Sequence, residues 1–188
     1  MITAPARAAW LVLIAGLAGW LASFALTVER FKLFVDPDYV TSCSINSVLS
    51  CGSVMTTDQA AVFGFPNPLL GVVGFSVAVT LGVLSVVGVG FPRWIWGWLW
   101  LGTVLGVAGL CWLIFQSLYR INALCPYCMV VWVATPVLFA VATQETWSRS
   151  RGVMSILAEW RWTLVVVFYA VVLLLVFLKF QDYWLSLV

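Results

Sequence analysis

Apolar residues run along this chain in five long blocks with almost no ionisable residue inside them. A block of about 20 apolar residues matches the thickness of a hydrocarbon core when coiled as an α-helix. The pattern therefore predicts membrane-crossing helices over 10–28, 68–90, 94–117, 123–142 and 162–180. Glu29, Arg30 and Lys32 close the first block, whose flanks also suit an uncleaved signal anchor. No small-residue cleavage site stands out there, so it counts as a true span. The second-to-third and third-to-fourth connections are very short, which predicts spans two, three and four as antiparallel neighbours. Polar residues collect in a long connection over 29–66 and a second over 143–161. The expected organisation is an all-α integral membrane protein with a four-helix core over 1–142 that includes the outer loop 29–66. A cytoplasmic connection over 143–161 and a fifth transmembrane helix with the C-terminal end over 162–188 follow.

Composition agrees with that pattern. The chain is 64% hydrophobic and 9% charged, with a mean hydropathy of +1.09, values outside the range of soluble domains. Its 188 residues suffice for five spans and their connections, and a net charge of +2 is too small to point to nucleic acid. Histidine is absent, which removes His-ligated haem, His-based zinc sites and Ser-His or Cys-His catalysis.

Basic residues set orientation. With a cytoplasmic N-terminus, the inner side holds Arg7, Arg93, Arg149, Arg151 and Arg161, and the outer side Arg30, Lys32, Arg120 and Lys179. Three of the inner arginines share one connection, while the 29–66 loop carries Glu29, Asp36, Asp38 and Asp58. Aromatic rings mark the span ends: Trp10, Trp94, Trp96, Trp98, Trp147, Trp160 and Trp162 toward the inner interface, Trp184, Tyr119, Tyr127 and Tyr183 toward the outer. Both close cysteine pairs then face the outer side, where disulfides persist.

Those cysteines carry the candidate chemistry. Cys125-Pro126-Tyr127-Cys128 opens the fourth span, Cys43 and Cys51 lie in the long loop, and Cys111 stands alone in an apolar run, where a packing role is expected. Asn122 can cap the fourth span, with Cys125 in the first turn and Cys128 one turn deeper. Proline is tolerated at 126, because first-turn N–H groups lack intrahelical partners anyway. Residues three apart share a helix face, and the positive helix end favours thiolate. Two neighbouring dithiols suit electron relay, since a thiolate attacks a disulfide and passes the oxidation on. A static bridge across so short a loop contributes little entropy. Four cysteines permit three pairings, and the spacing does not choose among them.

The residues together resemble the vitamin K epoxide reductase family, most closely its bacterial branch. The match lies in Cys43 and Cys51, Thr57, Phe65-Pro66-Asn67-Pro68-Leu69-Leu70-Gly71 and the C-x-x-C pair, over roughly 8–142. The resemblance implies a four-helix bundle around a quinone site in the bacterial cytoplasmic membrane, with a fifth transmembrane helix outside it. It implies electrons passing from a secreted or periplasmic thioredoxin-like oxidoreductase to Cys43, from Cys51 to Cys125, and from Cys128 to a quinone (menaquinone or ubiquinone) dissolved in the membrane lipid. Asn67 aligns with an asparagine that donates a hydrogen bond to a quinone oxygen; its other reading is a plain cap of the second span. Thr57 stands where the family has serine or threonine near the loop cysteines, and with Asn67, Cys128 and Trp132 it makes up the implied quinone-binding set. Trp132 replaces a vertebrate tyrosine four residues after the C-x-x-C, which argues against epoxide reduction and leaves quinone reduction intact. A chemically related quinone-linked oxidase family places its C-x-x-C near the first helices instead. The competing class is a channel or transporter subunit with two structural disulfides; that class predicts ionisable residues inside spans, and here they are nearly absent.

Overall fold

Five helices long and apolar enough to cross a membrane appear in the computed structural model, which describes residues 2–46, 48–62, 64–148 and 152–181. In chain order the helices are α1 (Ala6–Val35), a short α2 (Cys51–Met55), α3 (Pro68–Val86), α4 (Arg93–Gln116), α5 (Pro126–Trp147) and α6 (Val153–Lys179). The chain is an all-α membrane protein, as its apolar blocks predict.

Helix ends and membrane ends differ. α1 runs on to Val35 rather than stopping at 28, because Glu29, Arg30 and Lys32 leave the hydrocarbon without leaving the helix. All three are tolerable helix residues, and Lys32 pairs with Glu29 one turn back at 3.2 Å. α3 stops at Val86, short of 90: Gly88 takes φ +92° and the Val89 N–H returns to the Leu84 carbonyl at 2.9 Å. That is a glycine-terminated helix end in which the last carbonyls are satisfied. The polar stretch 143–161 is mostly helix, since α5 continues to Trp147 and α6 begins at Val153. Polar composition marked the exit from the bilayer there, and Gln144, Glu145 and Glu159 are themselves good helix formers. Arg149, Arg151, Tyr183 and Trp184 lie outside the described residues.

Small residues decide which helices meet. α1 packs along α3 and also on α5, while α5 packs in addition on α4 and α6. A Cβ added at Gly82 of α3 would sit 2.7 Å from the Leu13 Cα, and one at Gly16 of α1 would sit 3.1 Å from the Val79 nitrogen. Such close backbone approach is how membrane helices associate without a hydrophobic driving force. Spans two and three, α3 and α4, were expected as packed neighbours and instead make little direct contact. The glycine-bearing side of α3 faces α1, and the 87–92 connection is held by the N-terminal segment: Ile2 and Phe91 exchange both backbone hydrogen bonds, at 2.7 and 3.0 Å.

Away from the cysteines, the bundle closes around Val12, Phe75, Leu81, Trp96, Leu99 and Leu138. Trp96, expected in the interfacial ring, is instead fully buried (0% exposed) against Phe91. It sits on the α4 face that turns inward, two residues from its exposed neighbours Trp94 and Trp98. Cys111 is exposed on α4 rather than packed within the bundle, because the apolar run around it presents that face outward. α6 leans on α5, where the Tyr169 hydroxyl donates to the Val133 carbonyl at 2.7 Å, and Phe180 closes over a cluster that contains Trp132.

Candidate redox site

Local backbone chemistry builds the loop that carries the first pair. Asn46 accepts from the N–H groups of Val48 (3.0 Å) and Leu49 (2.7 Å), while the N–H groups of Ile45 and Asn46 return to the Leu49 carbonyl. Asparagine side chains commonly close turns in this way. Ser50 then caps α2 through its hydroxyl, which accepts from the Ser53 N–H at 3.3 Å. Cys51 is the first residue of that helix and is disulfide-bonded to Cys43, with their Cα atoms 5.6 Å apart. Of the three pairings the sequence allowed, the structure holds Cys43–Cys51, with Cys125 and Cys128 as free thiols.

The second pair opens α5, though Asn122 does not cap it. Asn122 takes a left-handed conformation (φ 55°) that ends the π-turn Ser117–Ile121, and the Ala123 N–H closes onto the Ser117 carbonyl at 3.3 Å. Asparagine is among the few residues that adopt this conformation readily. The cap is Cys125 itself: its backbone is extended, Pro126 follows at the first helical position, and its Sγ accepts from the Cys128 N–H at 3.5 Å.

Backbone hydrogen bonds join the two segments. The Leu124 N–H donates to the Val48 carbonyl at 2.7 Å, forming a short parallel bridge between Leu49 and Leu124. Beyond it, the Cys125 Sγ lies 3.1 Å from the Cys51 Sγ. All three sulfurs involved are buried, with Cys43 5%, Cys51 0% and Cys125 1% exposed, among Leu26 and Met55. A thiol held in contact with one sulfur of a disulfide has the arrangement that exchange needs. The Cys128 thiol, by hydrogen bonding, holds the Cys125 thiol below the ordinary 9.0, against burial, which pushes it up. The N–H groups of Cys128 and Tyr127 at the start of α5 lower it further.

The other residues singled out by sequence are placed differently. Cys128 is half-buried and touches both the sulfur cluster and the apolar cluster of Leu118, Leu124, Trp132 and Phe180. Trp132, one turn further along α5, is buried in that same apolar cluster. The Thr57 hydroxyl donates to the Val54 carbonyl at 2.8 Å and secures the end of α2. Asn67 makes no side-chain cap of α3: its amide donates to the Gln59 carbonyl (2.7 Å) and accepts from the Val62 N–H (3.1 Å), folding the turn Asp58–Ala61 onto the start of α3.

Sequence reasoning missed Ser50 and Leu124: their pairing is through backbone and leaves no side-chain signal, though a serine just before Cys51 is a cap signal that could have marked the start of α2. It also read Glu29 only as a charge ending a span. A wide apolar groove of about 500 Å³, lined by Arg93, Trp94, Trp98, Trp100, Thr146 and Trp147, sits at the far end of α5 from the sulfurs, too distant to serve them.

The family model described as the Vitamin K epoxide reductase family matches residues 10–143 of the chain. No protein of curated function matches it.

Proposed function

We propose that this chain, which belongs to the vitamin K epoxide reductase family, is a membrane thiol–quinone oxidoreductase that drives disulfide formation in exported proteins. The single observation supporting this most is the 3.1 Å contact between Cys125 Sγ and Cys51 Sγ, which links the loop disulfide to the C-x-x-C pair.

The relay runs as follows. One thiolate of a reduced, secreted or periplasmic thioredoxin-like protein attacks Cys43, breaking its bond to Cys51 and releasing the Cys51 thiolate. The partner's second thiol attacks its own mixed disulfide, so the partner leaves oxidised and Cys43 is freed as thiolate. Cys51 attacks Cys125 of an oxidised Cys125–Cys128 pair, releasing the Cys128 thiolate. Cys43 then attacks Cys51, which restores the loop disulfide and frees Cys125. The result is an oxidised loop pair beside a reduced C-x-x-C pair, the state this structure holds. A quinone, menaquinone or ubiquinone, supplies the two-electron acceptor that re-forms the Cys125–Cys128 bond, taking up two protons.

The chain's residues divide that work. Cys125 faces the loop, and Cys128 sits against Leu118, Met129 and Trp132, apolar neighbours suited to an acceptor arriving from lipid. The Asn67 amide spends one N–H on the Gln59 carbonyl, and its second is the donor for a quinone oxygen, where a fixed donor aids developing charge. Thr57 steadies α2 beneath Cys51. Orientation follows the basic residues, with the N-terminus cytoplasmic and the sulfurs at the outer face of the bacterial cytoplasmic membrane.

The test is a thiol-trapping gel shift on membranes depleted of quinone and supplied with reduced partner. Cys125 and Cys128 accumulate as thiols under this reading, and a pair that stays oxidised removes it.

A further inference from the structure

Cys43, the sulfur that has to meet a protein partner, is only 5% exposed. The segment leading to it is fastened to α1 through one buried side chain. Glu29, itself 5% exposed, accepts the Ser42 N–H on Oε2 at 3.1 Å, immediately before Cys43. Its Oε1 accepts from the Tyr39 hydroxyl at 3.4 Å and from the Lys32 ammonium at 3.2 Å, and Lys32 also donates to the Tyr39 hydroxyl at 3.3 Å. Residues 39–42 are thereby held at two points, both converging on Glu29.

We propose that Glu29 is a positioning residue that latches the Ser42–Cys43 segment shut over the loop disulfide, so that attack on Cys43 requires the Ser42 N–H to leave Glu29. The proposal rests on the thiol-relay reading above and adds what controls access to it. The chemistry favours this site for the hinge. The neighbouring attachments do not run to α1: Ser44 bonds to Thr41 and, hydroxyl to hydroxyl, to Ser50 at 3.2 Å, Ile45 and Asn46 bond to Leu49, and Ser50 to Leu124. Release of Ser42 therefore frees the Cys43 side from α1, with the Ser44–Ser50 contact as the pivot, while the Cys51 side stays fixed against Cys125. Opening of a short segment is a local equilibrium set by the few bonds that hold it, and bonds to a charged carboxylate are the strongest of these.

The experiment uses the full chain with all its cysteines, in membranes, and follows reduction of the Cys43–Cys51 disulfide by a membrane-impermeant phosphine, read by alkylation and gel shift. Glu29→Ala speeds reduction at least about tenfold, the size that loss of one charged hydrogen bond implies. Glu29→Gln, whose amide oxygen still accepts the Ser42 N–H, stays within about threefold of the parent. Tyr39→Phe, which removes only the second attachment, falls between them. A companion chain carrying Cys43→Ala and Cys128→Ala reports the fold, because its Cys51–Cys125 disulfide forms equally well with and without Glu29→Ala. Equal reduction rates for Glu29→Ala and the parent overturn the latch, as does a Glu29→Gln rate matching Glu29→Ala. Loss of Cys51–Cys125 bonding in Glu29→Ala also overturns it, by making Glu29 a general support of the loop. Neither readout involves quinone or a protein partner, so these results stand apart from failure of the relay itself.

Discussion

The Ser50 N–H donates to the Leu124 carbonyl at 2.9 Å, one residue before Cys51 on one side and one residue before Cys125 on the other. Contact between the two sulfurs is thus a consequence of backbone pairing, and side-chain rotation has only to complete it. In a chain with Cys43→Ala and Cys128→Ala, the remaining Cys51 and Cys125 should form a disulfide nearly completely under mild oxidation. Ser50→Pro removes the donor at a φ of −145° that proline cannot adopt, and trapping should collapse on non-reducing gels. Ser50→Ala keeps the backbone bond and loses the cap of α2, about 1 kcal/mol, together with the hydroxyl contacts to Ser44 and Ser53, so trapping should survive.

Cys125 ionises more readily than an ordinary thiol, chiefly because the Cys128 thiol hydrogen-bonds to it. A lowered pKa makes Cys125 the better leaving group when Cys43 displaces it from Cys51, and keeps it a thiolate to lower pH than an ordinary thiol. The Cys125 thiolate, and with it alkylation at this sulfur, is lost as pH drops through the lowered value. Cys128→Ala removes the largest lowering influence, so the midpoint for alkylation of Cys125 by a small reagent should move upward. Each unit of that movement removes about tenfold of the thiolate at neutral pH. A pH–rate profile of alkylation for both chains measures it; an unmoved midpoint would assign the lowering to the helix end alone.

How much of this was legible beforehand depends on where each signal resides. Apolar blocks reveal spans because the bilayer demands about 20 such residues, and all five were readable. Helix ends were not, since Glu29 to Val35 and Gln144 to Trp147 leave the lipid while remaining helical. The four sulfurs were visible from spacing, but their pairing was not: a turn closed by Asn46 and the Leu49 carbonyl folds Cys43 onto Cys51, and a backbone bridge at Leu49 and Leu124 brings Cys125 to them. Asn122 looked like a cap by residue type, and a left-handed turn took it instead. Trp96 looked interfacial by position, and its helix face buried it.

Packing of α1 on α3 makes a stability prediction. A Cβ at Gly82 would meet backbone, 2.7 Å from the Leu13 Cα and 2.8 Å from its nitrogen, and backbone cannot yield as a side-chain tip can. Gly82→Ala should therefore destabilise the chain by about 1–3 kcal/mol. Gly102→Ala on α4, where nothing lies within 4 Å, should be neutral or stabilising by up to about 1 kcal/mol through helix propensity. Thermal unfolding of the two variants in detergent separates them, and equal melting temperatures would mean that the α1–α3 contact is looser than its geometry.

Asn67 offers the sharpest division between a loop support and a donor to substrate. Its oxygen accepts from the Val62 N–H, and one amide hydrogen is spent on the Gln59 carbonyl. Asn67→Asp keeps an acceptor for Val62 and loses both N–H donors. If the free N–H serves a quinone oxygen, quinone-dependent re-oxidation of the Cys125–Cys128 pair should slow by about 10²–10³, the usual effect of deleting a donor aimed at developing charge. Trapping of Cys51 with Cys125 should be unchanged, since the bridge between Leu49 and Leu124 does not pass through Asn67. A parallel fall in both would instead assign Asn67 to holding the Asp58–Ala61 turn on α3, and the donor to quinone would have to be sought among the groups nearer Cys128.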